Sequence, residues 1–446
     1  MKTEQEYIDL FTHNESLIAQ HSSTLMNTHR PEAFASFKRL GFPPARSEDY
    51  SCTDVVKAFS PNFGLNINQI NIPVNPYNVF RCNVPHLSSA LYFTINDSFY
   101  SQQQPEEELP PGVFIGSLRE FTDKHPDIAK RYYGQNALSG HNGIIALNSM
   151  FAQDGFAVYI PKGTVVDLPI QLIHINRSDV DTMSNRRTLV IMEERSEVKL
   201  LVCTHSVDPV RFLSNEVVEI FAGEGAHLDY YDLEESSENT TRFTSLYATQ
   251  EASSNVSMNS ITLNNGLSRN NYHVSLNGEY AESNLGGLSI LDGRQQVDTF
   301  ARVTHAAPRC NSNELFKNVL NGRSTAVFQG KVLVKEGAFK TSASQVNRNL
   351  CSTREARVYG KPQLEIYADD VKCSHGMTTG QLDENVLFYL QSRGIPRSEA
   401  RTLLSIAFTA DVLDNIRIDG LKDRLYTLIQ KRFRGELVHC AGCGAN

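Results

Sequence analysis

A short stretch near the end of the chain concentrates side chains that are suited to metal binding. Asp369, Asp370, Cys373 and His375 lie together just before Gly376. Cys373 and His375 are two positions apart, so in an extended strand both side chains project from the same face. A thiolate and an imidazole suit iron or zinc, but two protein ligands are too few for a closed site. The pattern alone favours a packed cysteine and a hydrogen-bonded surface histidine, and a shared site would need a second chain or a bound cluster.

The other cysteines predict ordinary buried thiols. Most of the 8 cysteines are far apart in the sequence and have no disulfide-framework spacing. The polar N-terminus lacks the basic start and apolar stretch of a signal peptide, so we expect reduced thiols and a cytoplasmic location. Cys440 and Cys443 form a C-x-x-C tail. One such pair cannot close a zinc site, and a disordered tail with reactive thiols is favoured over a metal-handling role.

Several classes of function are excluded by what the sequence lacks. It has no phosphate-binding G-x-x-x-x-G-K-[ST] loop, no dinucleotide fingerprint, no H-E-x-x-H and no G-x-S-x-G. The net charge of −8 argues against nucleic acid or an anionic membrane as a partner. No run of 18 apolar residues exists, so no transmembrane helix is expected. Carboxylates are plentiful, which leaves a carbohydrate-active enzyme open, because the sequence cannot reveal whether two of them converge.

The elements that must position these residues change in character along the chain. Residues 1–60 are expected to be helical, because apolar residues such as Tyr7, Phe11 and Ile18 recur at helical spacing. Residues 61–145 have a mixed α/β pattern. Residues 376–446 turn helical again, and Ser398 is predicted to cap one of these helices.

Residues 146–375 read as a β-helix core. Alternating apolar segments are separated by turn signals such as Asn277-Gly278, and similar strand starts recur at Val198, Leu228, Val256 and Leu285. The steps between these starts are 30, 28 and 29 residues. Such a period indicates stacked rungs of a β-solenoid, although a β-sandwich with regular hairpins fits the periodicity equally well. Leu364, Ile366 and Tyr367 are predicted to form the final strand.

The C-terminal helices carry one broad apolar face. It consists of Ala400, Leu403, Leu404, Ala407, Phe408 and Val412. A short helical unit after a solenoid can either cap its open end or dock a partner protein.

The segment that contains the cysteine and histidine resembles the signature of the SufB/SufD family. The sequence LEIYADDVKCSHG, which runs from Leu364 to Gly376, is followed by LFYLQSRGI and by a helix with an A…AF pattern. SufB sequences differ here, with a Glu-His-Glu-Ala-like run, so the resemblance is to the SufD side. Weaker matches upstream include Val327 to Lys331, Thr341 to Gln345 and His305.

This resemblance implies a mainly β fold, a right-handed parallel β-helix core flanked by N-terminal and C-terminal helical domains. It implies a scaffold subunit for iron–sulfur cluster assembly, which is not an enzyme by itself. The chain would pair with SufB as a heterodimer and would dock the SufC ATPase through residues 376–446. A transient iron or iron–sulfur cluster would be shared with SufB, and the isolated chain would hold none.

The resemblance also suggests roles for individual residues. His375 would join ligands from SufB at the cluster-assembly interface, with Cys373 as a second candidate ligand. Arg401, Leu404, Phe408 and Asp411 would lie on the SufC side. Alone, the chain is expected to form a homodimer. A metal-free structural subunit of the same complex is the alternative, and a β-helix carbohydrate enzyme is a more distant one.

Overall fold

The computed structural model describes residues 2–45, 47–70, 75–79, 89–103, 105, 108–137 and 139–436. The helices within this part of the chain are α1 (Lys2–Gln20), α2 (Thr24–Leu40), α3 (Val55–Phe59), α4 (Pro76–Val79), α5 (Leu118–Lys124), α6 (Pro126–Tyr132), α7 (Gly143–Phe151), α8 (Glu384–Ser392), α9 (Arg397–Leu413) and α10 (Asp419–Phe433). The strands are β1 (Ala90–Ile95), β2 (Ser98–Phe99), β3 (Phe114–Ser117), β4 (Phe156–Ile160), β5 (Ile170–Asn176), β6 (Thr182–Met192), β7 (Glu197–Ser206), β8 (Phe212–Ala222), β9 (His227–Glu235), β10 (Thr240–Gln250), β11 (Asn255–Asn264), β12 (Leu267–Leu276), β13 (Glu282–Leu291), β14 (Gln296–His305), β15 (Asn311–Leu320), β16 (Thr325–Val334), β17 (Ser342–Cys351), β18 (Arg357–Ile366) and β19 (Lys372–Gly380).

Local capping sets the ends of the N-terminal helix α2. The Ser23 hydroxyl oxygen accepts a hydrogen bond from the Met26 N–H at 3.3 Å, which satisfies a backbone donor in the first turn. The helix ends at Leu40 because Gly41 adopts a φ of 59° and donates its N–H to the carbonyl oxygen of Phe37 at 2.8 Å. The helical character expected for this end of the chain is therefore present.

The strands of the core stack as rungs of a parallel solenoid. The odd-numbered strands other than β3, together with β2, form a ten-stranded sheet that ends in β19 at one edge and in β2 at the other. The even-numbered strands from β4 onward, together with β3, form a nine-stranded sheet that ends in β18 and in β3. From β4 onward the chain alternates between the two sheets, so successive strands of one sheet are two positions apart in the chain. The predicted β-solenoid is confirmed, and the sandwich alternative is wrong because the rungs pair in parallel.

The register confirms most of the repeat that was read from the sequence. Val198 lies directly beside Leu228, and Leu228 lies beside Val256. Leu285, in contrast, pairs with Met258, two residues further along β11. The apolar pattern therefore identifies the rung, but the exact residue in register is decided by backbone pairing.

The prediction of a final strand at Leu364 to Tyr367 is wrong in one respect. Those residues belong to the end of β18 and to the residue after it, and a further strand, β19, follows. β19 pairs in parallel with β17 and contains both Cys373 and His375. The polar composition of this strand hid it from the sequence pattern, because few of its side chains are apolar.

The C-terminal helices lie against the outer face of the ten-stranded sheet. Buried residues of α10 and of the turn before it, including Ile416, Leu421 and Leu425, join a cluster with outward-facing residues of the sheet such as Leu233 and Ile261. The helices therefore pack along the side of the solenoid. Within the described residues, they do not cover the end formed by β18 and β19.

Two expectations about α9 are corrected by this packing. Of the apolar face read in the sequence, Ala400 and Val412 are buried, whereas Leu403 is 43% exposed. Thr402, Ser405 and Thr409 are buried as well. The buried side of the helix therefore overlaps the apolar face read in the sequence only in part. Ser398 does not cap the helix, since α9 begins at Arg397 after Pro396.

The interior of the solenoid contains a buried ionic cluster. The Arg242 Nη2 atom lies 2.9 Å from Asp232 Oδ2 and 3.1 Å from Glu216 Oε2. Glu216 Oε1 in turn lies 3.2 Å from His174 Nε2. All of these side chains are buried, and burial lowers the pKa of His174 to about 4, so its ring is neutral at pH 7. Arg242 is therefore the charge that holds these carboxylates in the core.

No helix among the described residues is long and apolar enough to cross a membrane.

Replacing Arg242 by methionine is expected to lower the free energy of unfolding by about 3–5 kcal/mol, because buried carboxylates lose their counter-charge. The matched control is Arg211→Met, which removes a solvent-exposed ion pair with Asp181. Such a pair contributes at most about 1 kcal/mol. Urea unfolding of both variants measures the difference. Equal losses for the two variants would contradict the importance of the interior cluster.

Candidate functional site

The open end of the solenoid, formed by β18 and β19, is the candidate site. These edge strands are 10 and 9 residues long, whereas the strands at the opposite end, β3 and β2, have 4 and 2 residues. β19 is mostly exposed, while β6, inside the stack, is buried along its whole length. Long edge strands present a row of unpaired N–H and C=O groups that can pair with another chain.

Cys373 and His375 both lie on β19, but their environments differ. Strand alternation places them on the same side, as predicted. Cys373 is half-buried against an apolar cluster that includes Ala343 and Leu364, and burial raises the pKa of its thiol. His375 is exposed. The thiol is therefore held in its less reactive protonated form, while the imidazole is accessible at the edge.

The two aspartates that precede them form a turn. Asp370 has a φ of 54°, and its carbonyl oxygen accepts a hydrogen bond from the Lys340 N–H at 2.8 Å. Aspartate tolerates this left-handed conformation better than most residues. Asp369 and Asp370 thus close the corner between β18 and β19, and this backbone role accounts for their presence beside the cysteine and the histidine.

A methionine extends the same face of β19 and was missed in the sequence. Met377 is two residues beyond His375, and its side chain packs over Gly360 of the other sheet. A Cβ atom at Gly360 would collide with the Met377 sulfur, so the glycine leaves room for the methionine in this position. The two-residue spacing after His375 was the signal that could have identified this residue.

Two rungs inward from β19, a buried glutamate was also missed. Glu314 of β15 is 1% exposed, and burial raises its pKa to about 8. Gln345 Nε2 donates to both of its carboxyl oxygens, at 3.2 and 3.1 Å. Gly330 makes room for this amide, since a Cβ there would overlap the Gln345 side chain. A charged residue type among apolar positions of the repeat was the available signal.

The residues that were expected to face the SufC side do not share one exposed surface. Leu404 and Phe408 are partly buried. Asp411 forms an ion pair with Lys317 of β15 at 2.6 Å, and Lys317 Nζ also donates to the Phe408 carbonyl oxygen at 2.8 Å. Arg401 lies 3.4 Å from the Ser352 carbonyl oxygen. Asp411 is exposed and Arg401 is half-buried, and both also contact the solenoid.

The exposed apolar side chains of the C-terminal helices lie mainly on α8. Phe388 is 73% exposed and Tyr389 is 55% exposed, and Leu387 is the buried residue of this helix. Large apolar side chains that cluster on a surface mark interaction sites more often than isolated ones do.

Metal ligands on the chain itself are sparse. The described ranges contain no group of three or more His, Cys, Asp or Glu side chains that could hold a metal ion. His305, noted in the sequence, is buried, and its Nε2 lies 2.8 Å from the Ser312 hydroxyl. The C-x-x-C pair, Cys440 and Cys443, lies outside the described residues. A site at His375 would therefore need ligands from a second molecule.

Comparison with known proteins identifies two matching family models. The model described as "SUF system FeS cluster assembly, SufBD core domain" matches residues 174–408, and that of the "SufBD protein N-terminal region" matches residues 1–172. An iron–sulfur cluster assembly SufBD family protein of Synechocystis is 29% identical over 94% of this chain and 93% of its own length. The iron–sulfur cluster assembly protein SufD of Escherichia coli is 30% identical, over 65% of this chain and 69% of its own. SufD of Bacillus subtilis is 26% identical, over 74% and 76% of the two chains.

The raised pKa of Glu314 predicts that the stability of the fold depends on pH. Between its ordinary value of 4.5 and the folded value of about 8, the folded chain holds a proton that the unfolded chain has released. The free energy of unfolding should therefore fall as the pH rises through this window, with a slope of up to about 1.4 kcal/mol per pH unit.

Glu314→Gln should remove this pH dependence. Measured by urea unfolding from pH 5.5 to 7.5, the free energy of unfolding of the variant should therefore rise increasingly relative to that of the wild type. Glu355→Gln, at an exposed glutamate in the turn before β18, is the control and should run parallel to the wild type. Parallel curves for Glu314→Gln as well would contradict a protonated buried carboxyl group.

Proposed function

Because the chain belongs to the SufBD family of the SUF iron–sulfur cluster assembly system, we propose that it serves as the SufD-type scaffold subunit of that system. In this role it pairs with SufB and docks the SufC ATPase. The observation that carries the proposal is the open end of the solenoid, where two long edge strands present His375 at their surface.

Pairing with SufB is supported by the geometry of that end. Among the strands that the structure describes, β19 has only β17 as a neighbour, and β18 has only β16. A family paralogue with the same core would carry an equivalent end, so the two could pair edge to edge with main-chain hydrogen bonds. Tyr359 and Ile366 on β18 are 46% and 42% exposed, and they supply apolar surface that such pairing would bury.

Iron or a growing cluster is the cargo of this interface, and His375 is its proposed ligand from this chain. The exposed imidazole can donate a ring nitrogen to iron, and SufB must complete the ligand set. Cys373 is the weaker candidate, because its thiol is half-buried and its pKa is raised. An imidazole also releases iron more readily than a thiolate does, which suits a scaffold that passes its cluster on.

The chain is proposed to have no enzymatic activity of its own. Its sequence lacks a nucleotide-binding loop, and the names of its relatives describe assembly proteins. Family membership leaves the carbohydrate-enzyme alternative without support. The second candidate is a metal-free structural subunit, which is favoured by the scarcity of clustered metal ligands in the described residues. The cytoplasm is the proposed location, and two relatives from Arabidopsis thaliana are chloroplastic proteins.

Docking of SufC is assigned to the C-terminal helices, with α8 as the primary contact. The packing of α9 and α10 against the sheet uses their buried sides, whereas Phe388 and Tyr389 face outward. Leu404 and Phe408 would support this surface from beneath. Arg401 and Asp411 would act indirectly, by holding α9 on the solenoid.

His375→Ala is expected to leave complex formation unchanged and to reduce iron and sulfide content at least fivefold, because the imidazole lies at an exposed edge outside the packed core. The measurement is iron and sulfide analysis of the chain purified with SufB and SufC. His227→Ala, an exposed histidine at the start of β9, is the matched control. Cys373→Ser should have a smaller effect. Clusters at normal yield in His375→Ala would favour the metal-free structural role.

Truncating Phe388 and Tyr389 together to alanine should weaken SufC binding at least tenfold, about 1.4 kcal/mol, because exposed aromatic residues often anchor interfaces. Tyr280→Ala is a close control, since Tyr280 and Tyr389 are both 55% exposed. Each ring also lies near an arginine: Arg309 is 5.7 Å from the ring centre of Tyr280, and Arg393 is 5.2 Å from that of Tyr389. Titration calorimetry with purified SufC compares them. Unchanged affinity in the double variant would place the docking surface elsewhere.

The isolated chain is expected to form a homodimer through the same open end. Without SufB, a second copy offers the nearest equivalent edge, and a two-fold pair satisfies both copies at once. Sedimentation equilibrium at about ten micromolar and above should report the dimer, and added SufB should replace one copy with a heterodimer. A monomer throughout this range, or a homodimer that persists with excess SufB, would count against a shared surface.

A further inference from the structure

Three polar residues follow one another along a single inward-facing line of the solenoid at its open end. Glu314 of β15 pairs in register with Gln345 of β17, and Gln345 pairs with His375 of β19. Earlier positions on the same line are apolar, with Met258 beside Leu285 and Leu285 beside Glu314. The line changes from apolar to polar only over the last rungs, below the exposed histidine.

Within the described part of the chain, only the Nε2 atom of the Gln345 side-chain amide has hydrogen-bond partners. Its Nε2 donates to both carboxyl oxygens of Glu314. Its Oε1 is buried and has no hydrogen-bond partner among the described residues. A buried acceptor without a partner costs about 1–3 kcal/mol, so a hydrogen bond to Gln345 Oε1 would be favourable. Gly330 keeps open the space in which this amide lies.

His375 is the donor that stands next to this acceptor in register. Adjacent strands are separated by about 4.8 Å, which brings side chains on one line within reach of each other. While the end of the solenoid is exposed, a ring N–H of His375 can bond to water. When a partner covers the end and water is excluded, Gln345 Oε1 is the acceptor that remains one rung below.

We propose that Gln345 and Glu314 are positioning residues for His375. Glu314 orients the Gln345 amide, and Gln345 Oε1 accepts a hydrogen bond from one ring nitrogen of His375. The tautomer and the ring orientation are thereby set, and the other nitrogen points its lone pair toward the partner. Metal-binding histidines commonly hold their second N–H in this way. The inference rests on the proposed ligand role of His375.

The test measures Fe²⁺ binding by the complex of this chain with SufB and SufC, using anaerobic equilibrium dialysis. Gln345→Met keeps the length of the side chain and removes the acceptor, and it should weaken Fe²⁺ binding roughly tenfold. Asn347→Met is the matched control. Asn347 is buried on the same strand and faces the same interior, but it pairs in register with Met377 instead of His375. Its replacement should leave Fe²⁺ affinity near the wild-type value.

A double-mutant cycle separates positioning from general destabilisation. If Gln345 acts through the imidazole, Gln345→Met should cause no further loss in a His375→Ala background. Conservative replacement supplies a second readout. The glutamine in Glu314→Gln can still accept a hydrogen bond from the Gln345 amide, so this variant should keep most of the Fe²⁺ affinity. Glu314→Leu should lose nearly as much Fe²⁺ affinity as Gln345→Met.

The outcomes distinguish this inference from the proposed function. Loss of affinity in His375→Ala with none in Gln345→Met would overturn the positioning role and leave the ligand role standing. Additive losses in the double variant, or an equal loss in Asn347→Met, would also overturn it. If His375→Ala itself binds Fe²⁺ normally, the ligand role fails, and the positioning role fails with it.

Discussion

The fold depends on parallel pairing between rungs, which requires every strand to have a neighbour on each side. Within the stack this demand is met by the next turn of the chain, and the strands become almost wholly buried, as β6 is. At the N-terminal end, short strands in antiparallel pairs, β2 and β3, finish the two sheets. At the other end, β18 and β19 finish them at nearly full length. An edge of that length is costly to leave exposed, and this asymmetry directs association to one end of the molecule.

The same stacking rule organises the chemistry of the interior. Residues in register on successive rungs form continuous lines, so a polar residue finds its partners one rung above or below. Arg242 reaches Glu216 on the adjacent strand, two positions out of register, and Asp232 on the opposite sheet. Gln345, in contrast, holds Glu314 directly in register. The first arrangement pairs opposite charges and stabilises the middle of the solenoid. The second leaves an acceptor free just below the exposed end.

The C-terminal helices are coupled to the solenoid by both apolar and ionic contacts. Ile416 and Leu421 bury against the sheet, and Asp411 pairs with Lys317, whose side chain is almost fully buried. Lys317 also lies 5.0 Å from the centre of the Phe408 ring. These contacts fix α9 and α10 to the side of the solenoid. They leave α8 as the C-terminal helix with the most exposed aromatic surface.

The sequence by itself determined the properties that depend on local periodicity. Alternation with period two identified most strands, steps of roughly 30 residues indicated stacked rungs, and the spacing of Cys373 and His375 placed them on one face. The motif around them was long enough to indicate the family. Other features were decided by the tertiary structure alone. Asp411 and Lys317 are 94 residues apart, and Glu314 and Gln345 are 31 apart, so no local pattern links them. The polar strand β19 and the buried side of α9 were likewise hidden, because burial there depends on what the neighbouring rung or sheet covers. Local backbone geometry is encoded in short segments, whereas pairing, burial and exposure arise only when distant segments are brought into register.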